Sequence, residues 1–354
     1  MNVLVVLAEP PLAEGGAAGR CGRALIQGLV AHGLAVRAVA AGTETVEVAG
    51  VTVEAVRTAP ERPGWAGRAQ RLRRPRGELA RGGLGDRVRE LARDADVVHL
   101  EEVDTAWCSA GLAMPSIVHL HYRVRLDPRG PLRPFVEYDL AERAAIRRHR
   151  WLAASSPVVA ATLRRPGKEV VEHRLALDPA AYAPATLAEP VAGLIGTLDW
   201  PPTRAALDRL RTVWPVVRRA VPDATLRIAG RGVAEPVPGA EHLGAVASAA
   251  AFVAGLGVLL YPVPRGSGAK VKVLEAMATG VPVVTTVCGA EGVPPNDGVL
   301  VCHDDAALAH AATELLRDPA ARRERGAAAR AAFLAHHAPE PATAPLAEAY
   351  RRMA

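Results

Sequence analysis

The chain has 354 residues, 50% of them hydrophobic, which excludes a disordered or fibrous polypeptide and leaves room for two globular domains of ordinary size. No apolar run reaches about 18 residues, so no membrane-spanning helix is expected. The formal charge of +6 comes almost entirely from arginine, because the chain contains only three lysines, Lys168, Lys270 and Lys272. Excess Ala, Arg, Pro and Gly fits the codon bias of a GC-rich bacterial genome. With aromatics at 4% and no basic run interleaved with them, nucleic acid is not an expected partner. The amino terminus lacks a charged leader and reads as a first strand. The four cysteines are too scattered for a metal pair or a disulfide framework, which points to a reducing, cytoplasmic setting.

In chain order, residues 2–7 read as a buried strand, followed by a glycine-bearing loop and an amphipathic helix over 20–32 with Gly33 as its C-cap. Residues 35–40 form a second strand, and the tight alternation over 46–57 predicts a hairpin or edge strands. The Arg-rich segment 68–93 reads as a solvated loop leading into a short surface helix. Its apolar face is too thin to favour membrane contact, which stays a lesser option beside contact with an anionic acceptor. Further strands are expected at 96–100, 116–121 and 151–155, with a helix over 137–150. After a Pro-bearing stretch near 184–190, strands at 192–197, 225–229, 258–261, 281–285 and 298–302 alternate with helices at 203–220 and 270–278. Helices fill the rest, broken at His337-Ala338-Pro339, and the last is expected to cross back onto the first domain. This alternation predicts parallel sheets flanked by helices: an α/β chain of two Rossmann-like domains. The boundaries fall at residues 1–187, 188–335 and, for the returning helix, 336–354.

The most informative segment is Arg265-Gly266-Ser267-Gly268-Ala269-Lys270-Val271-Lys272, which follows a strand and opens a helix. Glycines there let backbone N–H groups approach a ligand, and a helix N-terminus attracts an anion. Two of the three lysines fall in that first turn, where the helix dipole alone disfavours cations. Such placement makes sense if a diphosphate binds. Glu275 lies three residues beyond Lys272 on the same side of the helix and suits the two hydroxyls of a ribose. Asp304 and Asp305 read as a helix N-cap, not a metal cluster. Glu101, Glu102 and Asp104 follow a strand's carboxyl end, where a solvated loop or recognition of a cationic or hydroxyl-rich acceptor are both open. His119 is expected to face the opposite side of the sheet from His121, as a packing residue.

The run from Gly266 to Val293 resembles the donor-site signature of the glycosyltransferase family 4 enzymes, as do the strand-loop starting at Gly196 and the strand ending in Gly230-Arg231-Gly232. The resemblance implies the GT-B fold, with two Rossmann-like domains facing each other across a cleft. It also implies a retaining transfer of a sugar from a nucleoside-diphosphate sugar to an acceptor hydroxyl or amine, in bacterial natural-product or cell-surface glycan synthesis. Carried over to this chain, Lys272 with Lys270 binds the diphosphate and Glu275 the ribose. His121 sits near the sugar, and His121 and Lys272 are the catalytic candidates. Gly15 and Gly16 bring the amino-terminal loop to the donor phosphate. Gly196, Arg231, Gly266, Ser267, Gly268, Ala269, Gly289, Ala290 and Glu291 line the donor pocket. No cofactor is implied beyond the nucleotide-sugar co-substrate, and no metal. Two departures stand out. Ser267 occupies the position where the family often carries a sugar-binding Glu, and Asp199-Trp200-Pro201-Pro202 replaces a basic pair. A sugar-nucleotide epimerase or a catalytically silent nucleotide-sugar-binding subunit of the same architecture are the rival readings.

Overall fold

In the computed structural model, residues 1–58, 74–81, 83–127 and 132–354 are described. The expectation for residues 68–93 therefore falls partly outside the described residues. The chain divides into two compact units, Met1–Ala176 joined by Ala338–Ala354, and Leu177–His337.

The first unit is built on an eight-stranded sheet ordered β3-β4-β2-β1-β5-β6-β7-β8. Its strands are β1 (Asn2–Leu7), β2 (Ala35–Ala41), β3 (Val46–Val48), β4 (Val51–Val56), β5 (Val97–Glu101), β6 (Ser116–Leu120), β7 (Trp151–Ala154) and β8 (Glu169–Glu172). Every pairing is parallel except the β3–β4 hairpin at one edge. The central strands are largely apolar, apart from His99, Glu101 and His119, because helices cover both faces of a parallel sheet. Those helices are α1 (Ala17–Ala31), α2 (Gly83–Leu91), α3 (Leu132–Arg148) and α4 (Pro157–Leu163). One core gathers Leu4, Val6, Val98, Leu100, Val118 and Leu152; the opposite one gathers Val3, Val5, Leu25, Ile26, Leu29 and Ile117.

The second unit carries a six-stranded, wholly parallel sheet ordered β11-β10-β9-β12-β13-β14. Its strands are β9 (Val191–Ile195), β10 (Thr225–Ala229), β11 (Glu241–Gly244), β12 (Val258–Tyr261), β13 (Val283–Thr286) and β14 (Val299–Cys302). Its helices are α5 (Pro201–Ala220), α6 (Ala249–Ala254), α7 (Val271–Thr279), α8 (Asp305–Arg317) and α9 (Pro319–His336). Strand order reverses between β9 and β12, and at such a switch point the loops after the two strands diverge and open a crevice for a ligand.

The break at His337 ends α9, and α10 (Pro339–Met353) follows, packed on α1 and inserting Leu346, Ala347 and Tyr350 into the core beside β1. The approach is close: a Cβ on Gly28 would lie 2.3 Å from the Pro339 carbonyl oxygen. Four elements had no clear sequence signal. These are the short strands β8 and β11 and the short helices α4 and α6, whose few residues give periodicity little to act on. Helix α5 begins at Pro201, two residues before the expected start, because proline is preorganised for the first helical turn.

Candidate functional site

In the second unit the loops after β9, β10, β12 and β13 meet at the carboxyl end of the sheet. Gly266 (φ +110°) and Gly268 (φ +82°) turn the chain through left-handed conformations that a side chain would strain. The turn delivers Lys270 as the N-cap residue of α7, with Lys272 in the first turn. Across the switch point Lys272 reaches the loop after β9. A Cβ built on Gly196 would stand 2.9 Å from the Lys272 Cε and 3.2 Å from Thr203. Gly196 and Arg231 belong to one backbone construction, since Gly196 N–H donates to Ala229 and Leu198 N–H to the Arg231 carbonyl (2.7 Å). The Arg231 side chain itself is exposed.

Lys270 is engaged differently. Its Nζ donates to the Gly268 carbonyl at 2.5 Å and lies 3.9 Å from Glu291 Oε2, with both side chains nearly buried (12% and 7% exposed). Glu291 also accepts from Gly268 N–H at 2.8 Å. Together Lys270 and Glu291 tie the glycine loop to the turn after β13. In that turn Gly289 and Ala290 N–H groups donate to Thr286, and Cys288 Sγ reaches the Gly266 carbonyl at 3.1 Å. Ala269 sits between these anchors, and Ser267 is partly buried in the same loop. Glu275, on α7, is only 3% exposed, and its Oε1 accepts from Tyr182 OH at 3.4 Å. Asp304 caps α8, with Oδ1 accepting from Ala307 N–H at 2.7 Å.

In the first unit Gly15 and Gly16 lead into α1, Gly16 being its N-cap. The helix start already faces a carboxylate, since Glu9 Oε1 accepts from Gly19 N–H at 2.7 Å. His121 lies just beyond β6, with its Nε2 2.6 Å from Glu101 Oε1. Glu101 Oε2 takes two further imidazoles, His99 Nε2 at 2.7 Å and His119 Nδ1 at 3.0 Å. The chain of contacts continues outward on both sides. Tyr350 OH meets His99 Nδ1 at 2.7 Å, His119 Nε2 meets His173 Nε2 at 3.0 Å, and His173 Nδ1 meets the Arg174 carbonyl at 3.0 Å.

Two expectations are corrected here. His119 does not face away from His121: residues two apart in a strand share a face, and the rings lie 3.9 Å apart. Glu101 is not in a solvated loop; it ends β5 at 4% exposure, in cross-strand register with His119. A usable signal was present. His-x-Glu on one buried strand and His-x-His on its neighbour place four polar side chains on one face. His173 and Tyr350, distant in sequence, gave none.

Burial opposes the charge of Glu101, but His119 and His121 outweigh it and hold the carboxyl well below the usual range. Burial likewise opposes the His121 imidazolium, and Glu101, through charge and hydrogen bond, with Glu102 beside it, outweighs that and raises the ring's pKa. Burial and the neighbouring His121 push His119 down to about 4, and burial holds His173 well below its ordinary value. Linking a carboxylate to a carbonyl through two imidazoles requires three N–H groups, and two neutral rings supply two. Closing every link of this chain takes one more proton, which burial resists. The donor atoms of His99, Glu101 and His119 lie within 4.8 Å of one another, yet each ring nitrogen among them already has a hydrogen-bond partner.

Beside His121 lies a pocket of about 20 Å³, room for roughly one water. Glu102, Asp104, Glu142, Tyr122 and Tyr138 line it. Asp104 is paired with Arg76, whose guanidinium stacks on Tyr138 at 3.9 Å, and Glu142 with Arg123 at 2.8 Å. Desolvation raises the Glu102 pKa, and Glu102 holds a strained backbone at φ +67° and ψ 163°.

Residues 189–318 match the family model described as glycosyl transferases group 1, a span that covers the β9 loop, the glycine loop and α7. Among solved structures the chain is similar to sucrose-phosphate synthase from Thermosynechococcus elongatus, at 16% identity and a TM-score of 0.70, covering 99% of this chain and 98% of that one. It is also similar to HepE of Anabaena, solved with UDP and glucose, at 15% identity and a TM-score of 0.66 over 99% and 100% of the two chains. The Escherichia coli trehalose-6-phosphate protein bound to UDP-2-fluoro glucose aligns at 12% identity and a TM-score of 0.67, over 99% of each chain. The family match indicates a glycosyltransferase. Its fold is GT-B, with two parallel-sheet Rossmann-like domains. No curated protein matches the sequence. Among the described residues of this glycosyltransferase, no helix is long and apolar enough to cross a membrane.

Proposed function

We propose that this glycosyltransferase moves a sugar from a nucleoside-diphosphate donor to an acceptor hydroxyl or amine with retention of anomeric configuration, as family 4 enzymes do. The observation that carries the reading is the seat of Lys272, a cation in the first turn of α7 lying against Gly196 at the switch point of the sheet. There it would neutralise the charge that grows on the leaving diphosphate, an electrostatic contribution made in the transition state. The N-terminus of α7 adds its own attraction for phosphate. Lys270 supports the same anion indirectly, by fixing the glycine loop through Gly268 and Glu291. Glu275 takes the ribose, and His121 contacts the transferred sugar. On this account the leaving diphosphate itself helps deprotonate the acceptor, so no protein nucleophile and no metal enter the reaction.

A panel of nucleotide sugars tested by thermal shift, followed by product analysis with UDP-glucose first, checks the proposal. UDP-glucose leads because HepE was solved with it. Release of nucleoside diphosphate with a retained glycosidic product supports transfer. Ser267, where a sugar-binding Glu is often found, favours one rival, a silent binding subunit. Tight donor binding with neither hydrolysis nor transfer would establish that rival instead.

A further inference from the structure

The hydrogen bond between Glu101 and His121 decides which nitrogen of His121 is available for chemistry. The ring has two, and Nε2 is committed to Glu101 Oε1 at 2.6 Å. Nδ1 makes no hydrogen bond to any described residue, and the side chain is 17% exposed, at the edge of the small pocket. A carboxylate only accepts, so Nε2 must carry the proton in this contact. The neutral ring is then the Nε2–H tautomer, with a lone pair on Nδ1; the charged ring presents Nδ1–H as a donor. Either way Nδ1 is the nitrogen not committed to Glu101.

Glu101 is itself held from the other side. His99 and His119 both bond its Oε2, and Tyr350 and His173 brace those two rings in turn. The groups facing His121 are thus Glu101, Glu102 and His119, with Asp104, Tyr122, Tyr138 and Glu142 across the pocket. Of these only Glu101 is hydrogen-bonded to the His121 ring.

We propose that Glu101 is the positioning residue of His121, locking its orientation and tautomer so that Nδ1 is the nitrogen that meets the substrate. The inference rests on the proposed role of His121 in the transfer. It extends that role to a residue that never touches substrate, since a hydrogen bond to one ring nitrogen sets the tautomer and orientation of an imidazole.

The deciding experiment is ¹⁵N–¹H correlation spectroscopy of the histidine side chains in the whole protein, with His121 assigned by the signals lost in His121→Gln. The expected result is an Nε2–H tautomer at alkaline pH and a pKa above the ordinary histidine value. A bare Nε2 with a protonated Nδ1 overturns the proposal. Glu101→Gln provides the second arm, because an amide N–H₂ facing Nε2 favours the opposite tautomer. That variant should invert the tautomer, shift the pH profile of turnover and lower kcat about 10- to 100-fold, the scale of one lost hydrogen bond to the reacting sugar, with KM for the donor nearly unchanged. Glu101→Asp should recover part of the loss. An unaltered pH profile in a folded Glu101→Gln protein overturns the proposal. Should His121→Gln itself leave turnover intact, the role of His121 fails, whatever the tautomer shows. Should Glu101→Gln not fold, the wild-type spectrum alone decides.

Discussion

A Cβ added to Gly196 would lie 2.9 Å from Cε of Lys272, so a residue at the end of one strand sets the position of a lysine on a helix 76 residues later. The lysine can move, but buried Thr203, 3.2 Å from that Cβ, must also give by a few tenths of an ångström. Gly196→Ala should therefore lower thermal stability slightly while displacing the ammonium. Lys272→Ala removes it. A charge-assisted contact is worth roughly 1.5–3 kcal/mol, so Lys272→Ala should weaken nucleoside diphosphate binding by about 10- to 100-fold. Gly196→Ala should fall between it and wild type. Calorimetric titration with UDP checks both, and wild-type affinity in Lys272→Ala removes the diphosphate assignment.

Glu275 is buried on α7 with Tyr182 OH as one partner, so a ribose can use it only by entering a nearly closed site. Glu275→Gln should reduce affinity for UDP by about tenfold and affinity for pyrophosphate far less, because only UDP carries the two hydroxyls that a carboxylate accepts from. Parallel titrations with the two ligands measure the difference. Equal losses would point to a structural role for Glu275.

Acid should destabilise the first unit in a defined window. His119 and His149 are held at about 4, His119 by burial and His121, His149 by burial against its bond to Ala145, and His173 lies well below its ordinary value. The unfolded chain binds protons at these positions below about pH 6.5, while the folded chain leaves them bare down to about 4. Stability is then lost as pH falls through that interval, by up to about 1.4 kcal/mol per pH unit for each group. The raised pKa values of His121, Glu102 and Glu142 oppose the trend. Melting temperatures at pH 7, 6 and 5 test the sign, and His149→Gln should flatten the slope.

Arg322 is fully buried and donates to four carbonyls, those of Leu187, Ala188, Leu315 and Leu316. It closes the end of α8 and fastens the start of the second unit. Arg322→Ala would strand those carbonyls and should cost about 3 kcal/mol, seen as faster hydrogen exchange across β9 and α8. Arg322→Lys should rescue little, since one ammonium cannot span the fork.

The sequence by itself determined the parallel α/β class, the central strands, the glycine turn and the placement of two scarce lysines at a helix start. All of these are local: they follow from period, breakers and residue choice within a few positions. Asp304 as a cap was legible for the same reason. Tertiary structure alone decided what the lysines do. One packs against Gly196 and the other is tied to Glu291, a division that neighbours in sequence cannot reveal. It alone also gathered His99, Glu101, His119, His121, His173 and Tyr350 into one network, because strand register and the return of α10 bring together residues up to 251 positions apart. A buried carboxylate among imidazoles takes its protonation from those neighbours, so its chemistry was set only when the chain folded around it.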